Sequence, residues 1–219
     1  DRVKGVVSDV SGKAHELRDR AAGKTEDLKD AAYEKAQQAA DQHAEALRPV
    51  VEALRAEGGV DYDWPAGFTT SFAARLDSLC KIRVSEAQNG QRLLPGHAYI
   101  APGGTQFHIE RSGANYIAVV DDSPPVNRHK PSVEVLFKSC ARVLGPNAIG
   151  VMLTGMGADG AEAMKEMRDA GAYNFVQDEA SCVVFGMPKM AIQHGAAHEV
   201  LPLKQIARAI MERLSSAGG

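Results

Sequence analysis

Cysteines, aromatic residues and long apolar runs are all scarce in this 219-residue chain, which carries three cysteines, one tryptophan and 5% aromatic residues. Cys80, Cys140 and Cys182 are odd in number, widely spaced and free of any Cys-x-x-Cys pattern. Neither a disulfide framework nor a zinc site is expected from them, and a reducing cytoplasm is the expected setting. The longest apolar runs, such as Val151-Met152-Leu153, are too short to cross a bilayer. A net charge of -3 leaves no electrostatic footprint for nucleic acid. The chain opens at Asp1 with no basic-then-apolar leader pattern, an opening equally compatible with a leader or domain removed upstream. What remains is 44% hydrophobic content, enough for one ordinary domain with a core and roughly 60 residues besides.

Charge separates the two parts. Of the first 57 residues 22 are charged, against 31 of the remaining 162. The first part holds 12 alanines and a single aromatic residue, Tyr33. Its apolar positions Val3, Val7, Val10, Ala14, Leu17 and Ala21 alternate in steps of four and three, which is a helical stripe of small residues. Residues 2–47 read as a marginal helix broken near Pro49, with a short second helix to Arg55 and a junction at Gly58-Gly59. The runs Lys4-Gly5, Gly12-Lys13-Ala14 and Asp27-Leu28-Lys29-Asp30-Ala31 resemble the texture of CsbD-like and late-embryogenesis-abundant-like stress proteins. The expected division is therefore residues 1–58 as a charged, alanine-rich helical extension and residues 59–219 as the folded domain.

The second part reads as α/β. A helix carrying Phe68, Phe72, Leu76 and Leu79 precedes strands at Lys81 to Ala87 and Ala98 to Ala101. Strands at Gln106 to Arg111 and Asn115 to Val120 flank a hairpin turn at Ser112-Gly113-Ala114. A proline-rich loop leads to a helix opening at Pro131-Ser132. Next come a strand at Ala148 to Leu153, a glycine-rich turn, a helix at Ala161 to Ala170 and a strand at Tyr173 to Val176. Helices near Pro188 to Gln193 and Leu203 to Leu214 finish the chain. Alternating strand and helix imply a mainly parallel, doubly wound Rossmann-like sheet with one β-hairpin.

The turn Thr154-Gly155-Met156-Gly157-Ala158-Asp159-Gly160 spells G-x-G-x-x-G between a strand and a helix. It permits a dinucleotide reading, with Gly155, Gly157 and Gly160 at a pyrophosphate and Asp178 or Glu179 for a ribose hydroxyl. Against that reading, fewer than 60 residues follow the turn, and Asp159 places a carboxylate where phosphate charge belongs. In a third reading, Asp159 caps the following helix.

The rest of the sequence adds three more motifs in order. These are Leu94-Pro95-Gly96-His97-Ala98-Tyr99-Ile100-Ala101-Pro102-Gly103, Pro125-Val126-Asn127-Arg128-His129-Lys130-Pro131-Ser132-Val133, and Glu179-Ala180-Ser181-Cys182-Val183-Val184-Phe185-Gly186-Met187-Pro188. Together with the turn they resemble the catalytic domain of the bacterial chemotaxis protein-glutamate methylesterases, from Trp64 to near Leu214. The resemblance implies a cofactor-free and metal-free hydrolase of glutamyl methyl esters, and of some glutamines, on the cytoplasmic helices of chemoreceptors. It also implies a Ser-His-Asp triad. The triad aspartate falls on Asp159, and an oxyanion-binding backbone N–H falls on Met156.

Two other family positions depart from the pattern. The family's His-Met-Pro-x-Gly-Phe-Thr run is matched by Asp63-Trp64-Pro65-Ala66-Gly67-Phe68-Thr69, so Asp63 stands where the family has its histidine. With an ordinary pKa of about 3.9, a carboxylate is a poor base for a serine hydroxyl. The family's Gly-Ala-Ser-x-Gly-Gly nucleophile turn and its strand-helix-strand unit have no recognisable counterpart. The nearest remnant is Ser11-Gly12, which makes Ser11 the nucleophile candidate, with an ordinary surface serine as the competing reading. Ser71 and Ser78 fall on a helix, and Ser132 and Ser181 fall in motifs where the family keeps no nucleophile. Asn127, Arg128 and His129 are the candidate substrate-cleft residues, and His97 is expected to be structural.

Three functions follow as expectations: a catalytically silent family member acting as an interaction module, an active methylesterase with a rebuilt triad, or a fusion product. In the last case the helical front replaces the first strand-helix-strand unit, and an open sheet edge favours self-association.

Overall fold

The computed structural model describes residues 67–217. The helical extension, Ser11, Asp63 and Trp64 lie outside the described residues.

Helix α1 (Phe68–Leu79) starts after Gly67, whose φ of 95° is a left-handed conformation that suits glycine. Thr69, Phe72, Ala73 and Leu76 recur at the helical period and are buried. The apolar members of that face pack on Val84, Ile82, Ala98 and Ile100. Strands β1 (Arg83–Glu86) and β2 (His97–Ile100) run parallel, with Val84 opposite Ala98. The Glu86 carboxylate accepts the hydroxyls of Thr69 and Thr70, and Thr69 Oγ1 in turn accepts the Gly103 N–H at 3.0 Å. The start of α1, the end of β1 and the loop after β2 are thus tied together.

Strands β3 (Gln106–Ser112) and β4 (Asn115–Asp121) form an antiparallel hairpin closed by the Ser112–Asn115 pair. The turn is therefore the two residues Gly113-Ala114, one shorter than the sequence suggests, with Gly113 at φ 60°. Helix α2 (Val133–Val143) covers the hairpin through Leu136, Phe137 and Cys140, which pack with Ile109 and Met167. Ser139 accepts the Ile109 N–H at 2.9 Å and donates to Leu136 O, so this buried hydroxyl is satisfied in both roles.

The last third is a three-stranded parallel sheet in the order β5 (Ile149–Met152), β6 (Tyr173–Gln177), β7 (Glu199–Leu201). Helix α3 (Ala161–Asp169) connects β5 to β6, helix α4 (Met187–Gln193) connects β6 to β7, and helix α5 (Leu203–Ala217) follows. Met152, Met164, Val176, Ala191 and Ala196 form the core between α3, α4 and the sheet. Arg213 of α5 lies over the Tyr173 ring on the opposite side, 4.5 Å from its centroid. Helices thus flank both faces, as doubly wound architecture requires. Strand β7 has no signal in the sequence, because three residues, Glu-Val-Leu, are too few to display an alternation.

Among the described residues the parallel strands lie in two sheets, β1-β2 and β5-β6-β7. The cluster under α1 shares no residue with the cluster under α3. Helix α2 packs in two directions, Leu136 toward Phe107 of the hairpin and Phe137 toward Met152 of the last sheet.

His198, just before β7, stacks on Tyr173 at 4.4 Å, and its Nδ1 accepts the Asn174 N–H at 3.1 Å. Burial, then Arg168 and Arg213, push its pKa below the ordinary imidazole value, while Glu199 pulls the other way. A neutral imidazole is therefore favoured in the fold. The unfolded chain takes up the proton first as pH falls below about 6.5, so stability is lost from there down through the lower folded pKa. His198→Gln should flatten that acid limb. The check is the melting temperature of both proteins across this pH range, where an unchanged slope would contradict the assignment.

Candidate active site

The glycine-rich turn leaves the end of β5 and is held from both sides. At its start, the Thr154 N–H donates to the buried Gln177 Oε1 at 2.8 Å, and Gln177 Nε2 donates to Ser181 O at 2.8 Å. Thr154 Oγ1 accepts the N–H groups of Val183 and Val184 and donates to Val184 O. Gly155 N–H donates to Val184 O, and Gly155 O accepts from Gly186 and Met187. Close approach explains two glycines here. A Cβ on Gly155 would sit 2.4 Å from Met187 Sδ, and one on Gly186 would sit 2.7 Å from Gly155 O. Between these clamps, Met156 is 51% exposed and its backbone N–H donates to no described residue.

The far end of the turn is fixed by Asp159, which is 5% exposed. Its Oδ1 accepts from Ser132 Oγ at 2.7 Å and from Asn127 Nδ2 at 3.0 Å, and its Oδ2 accepts the Val133 N–H at 2.7 Å. Val133 is the first residue of α2, so the carboxylate caps α2 and not the helix that follows it in sequence. The cap of α3 is Gly160, at φ 79° and with no side-chain hydrogen bond. A negative charge at the start of α2 is favoured by its free N–H groups and its dipole. The exchange is reciprocal: Glu134 of α2 is 3% exposed and accepts the Ala163 N–H of α3. α2 takes its first-turn acceptor from the turn that leads into α3, and α3 takes one from α2, which sets their relative position.

Asn127 and Arg128 form the two-residue tip of a tight turn closed by paired backbone bonds between Val126 and His129. Both tip residues are left-handed, at φ 52° and 71°. Asn127 tolerates that conformation, and its amide reaches Asp159 from it; Arg128 is exposed beside it. The His129 carbonyl accepts from buried Gln106 Nε2, whose Oε1 accepts the Ser132 N–H. The loop before α2, the turn after β5 and the hairpin are therefore one polar network around Asp159.

Of the sequence candidates, the structure brings Asp159 and Asn127 into contact, with Arg128 and His129 on the same turn as Asn127. Met156 lies on the Asp159 turn. Ser132 touches Asp159 but is 2% exposed, which bars it from a bulky ester. Ser71 donates to the carbonyl of Gly67 just before α1, Ser78 to that of Arg75 within it, and Ser181 to Asp178, so each is engaged locally. His97 is exposed, stacks on Tyr99 and faces Pro95 O. Among the described residues no imidazole hydrogen-bonds to Asp159. Burial pushes the Cys140 thiol up to about 11 and also raises those of Cys80 and Cys182, which disfavours the thiolate form of each. Protonated thiols are poor nucleophiles. Among the described residues no cluster of histidine, cysteine and carboxylates fits a metal ion. No helix there is long and apolar enough to cross a membrane. The supporting residues Gln106, Glu134, Thr154 and Gln177 escaped sequence reasoning, because nothing local distinguishes a polar residue destined for burial.

The family model described as CheB methylesterase matches residues 41–210. A protein-glutamate methylesterase/protein-glutamine glutaminase from Albidiferax ferrireducens is 66% identical over 176 residues, which are 79% of this chain and 47% of that protein. One from Ralstonia nicotianae is 65% identical over 154 residues, 70% of this chain and 40% of that protein. The chain thus spans about half, or less, of the length of these curated relatives. The crystal structure of the Thermotoga maritima CheB methylesterase catalytic domain superposes with a TM-score of 0.66 at 36% identity, covering 68% of this chain and 79% of that one. By the extent of these matches, this chain belongs to the CheB methylesterase family.

Proposed function

We propose that this protein is a methylesterase-family domain that engages glutamyl-ester-bearing helices of chemoreceptors in the cytoplasm without hydrolysing the ester by itself. The observation that carries the reading is the setting of Asp159. Its carboxylate is occupied by Asn127, Ser132 and Val133, which makes it a structural clamp that would be retained with or without turnover. Asp63 at the family's histidine position, and the missing serine turn, point the same way. A serine hydroxyl without its base loses several orders of magnitude in rate. Recognition does not need the nucleophile. Met156 and Val183 are exposed on two loops bonded to each other, and Arg128 stands at the tip of the neighbouring turn. Residues 1–58 are, in this reading, a separate CsbD-like helical extension.

Titration of the full chain with a methylated receptor cytoplasmic fragment tests the binding half. Saturable binding at high micromolar concentration is expected, and weakening is expected for Arg128→Ala. No binding at that concentration would remove this half.

A second reading is favoured by one feature of the same carboxylate. A carboxylate has about four acceptor positions, and three are filled, leaving one on Oδ2 for an imidazole N–H. An active enzyme with a rebuilt triad would use it. Ser11→Ala with unchanged activity would exclude Ser11 from that triad.

A further inference from the structure

Gln106, the first residue of β3, is 1% exposed and carries an amide with two donors and an acceptor oxygen. All three groups engage one segment. Nε2 donates to Pro124 O at 3.1 Å and to His129 O at 3.2 Å, and Oε1 accepts the Ser132 N–H at 2.9 Å. These contacts lie on either side of Asn127 and Arg128, so one buried side chain spans the turn from before its tip to beyond it. The tip needs such a hold. Arg128 sits at φ 71°, a left-handed conformation that a long side chain adopts at a cost and that persists only where its surroundings over-determine it. Asn127 anchors the tip to the turn after β5 through Asp159, and Gln106 anchors both flanks to the hairpin. The Lys130–Asp122 pair on the same segment is solvent-exposed at its carboxylate and contributes little.

We propose that Gln106 is a positioning residue: it holds the 124–132 segment against β3, so that the Arg128 guanidinium is presented from a turn that is already set. A preset turn lowers the ordering cost of recognising a partner. The role in recognition rests on the proposed receptor-facing role of Arg128, whereas the hold on the turn stands without it and independently of whether the ester is hydrolysed.

Hydrogen exchange of the full chain, read at the Val126, His129 and Val133 amides, tests the hold. Gln106→Met keeps the volume of the side chain and removes its amide, so exchange at Val126 and His129, whose N–H groups close the turn, should accelerate about tenfold or more. Gln106→Glu keeps an acceptor for Ser132 and loses both donors. It should accelerate Val126 and His129 while Val133, held by Asp159, stays near its native rate. Gly195→Ala, which strains a left-handed glycine outside this segment, is the control for general destabilisation and should leave Val126 and His129 unchanged. Unchanged exchange in both Gln106 variants, or equal acceleration in Gly195→Ala, would overturn the proposal. Binding of a methylated receptor cytoplasmic fragment then separates positioning from loosening. Gln106→Met should weaken binding several-fold in the parent chain and not in an Arg128→Ala background, because its effect passes through that residue. Equal weakening in both backgrounds would overturn the positioning role. No binding by the parent chain would overturn the receptor reading alone, and the exchange rates would still decide whether Gln106 holds the turn.

Discussion

Asp159→Ala should destabilise the protein by about 3–5 kcal/mol, because it strands the Ser132 hydroxyl, the Val133 N–H and the Asn127 amide at once. Hydrogen bonds to a charged acceptor are worth about 1.5–3 kcal/mol each and do not simply add. Against a total of about 5–15 kcal/mol for a domain, the loss is severe. Asp159→Asn keeps the shape and one acceptor oxygen, and about 1–3 kcal/mol is expected. Urea unfolding of the three proteins at neutral pH is the check. A loss below about 1 kcal/mol for the alanine variant would mean that the carboxylate does not clamp α2. The same substitution would abolish turnover in an active enzyme, so stability must be measured before any lost activity is assigned to catalysis.

The second large effect concerns the residue after it. Gly160 sits at φ 79°, and a Cβ there would meet Val133 Cγ1 at 2.4 Å and Cβ at 2.9 Å. Gly160→Ala therefore combines a left-handed penalty with a collision against a β-branched side chain that cannot turn away freely. A cost of about 2–4 kcal/mol is expected. Gly195→Ala separates the two causes, because its φ of 68° is equally left-handed while nothing lies within 4 Å of its Cβ. That control should lose only about 1–2 kcal/mol. Equal losses in thermal or urea unfolding would show that the α2–α3 junction is looser than its contacts imply.

The elements and the site were not equally legible in the sequence. The helices of the last two thirds were readable because their apolar residues recur at the helical period, as Phe72, Ala73 and Leu76 do. The hairpin was readable from Gly113 between two strand-like runs. The site was legible by position only: the turn singled out Asp159, but its partners lie 26 to 32 residues away along the chain. Whether Asp159 would cap α2 or α3 depended on how the two helices meet, which no local pattern encodes. Among the described residues the parallel strands divide into β1-β2 and β5-β6-β7, a division that the alternation of strand and helix along the sequence does not display. Thr154 opens the glycine-rich turn, but its partner Gln177 is an ordinary polar residue in the sequence until the sheet buries it beside Thr154.

The family reading and the setting of Asp159 meet in a single question, whether an ester is cleaved. Methanol release from methyl-esterified chemoreceptor fragments by the full chain, beside Asp159→Asn and an authentic family enzyme, answers it most directly. The account predicts release by the authentic enzyme and none by this chain above the Asp159→Asn background, with both folded by circular dichroism. Release by this chain that disappears in Asp159→Asn would contradict the account and establish a working triad built on that carboxylate.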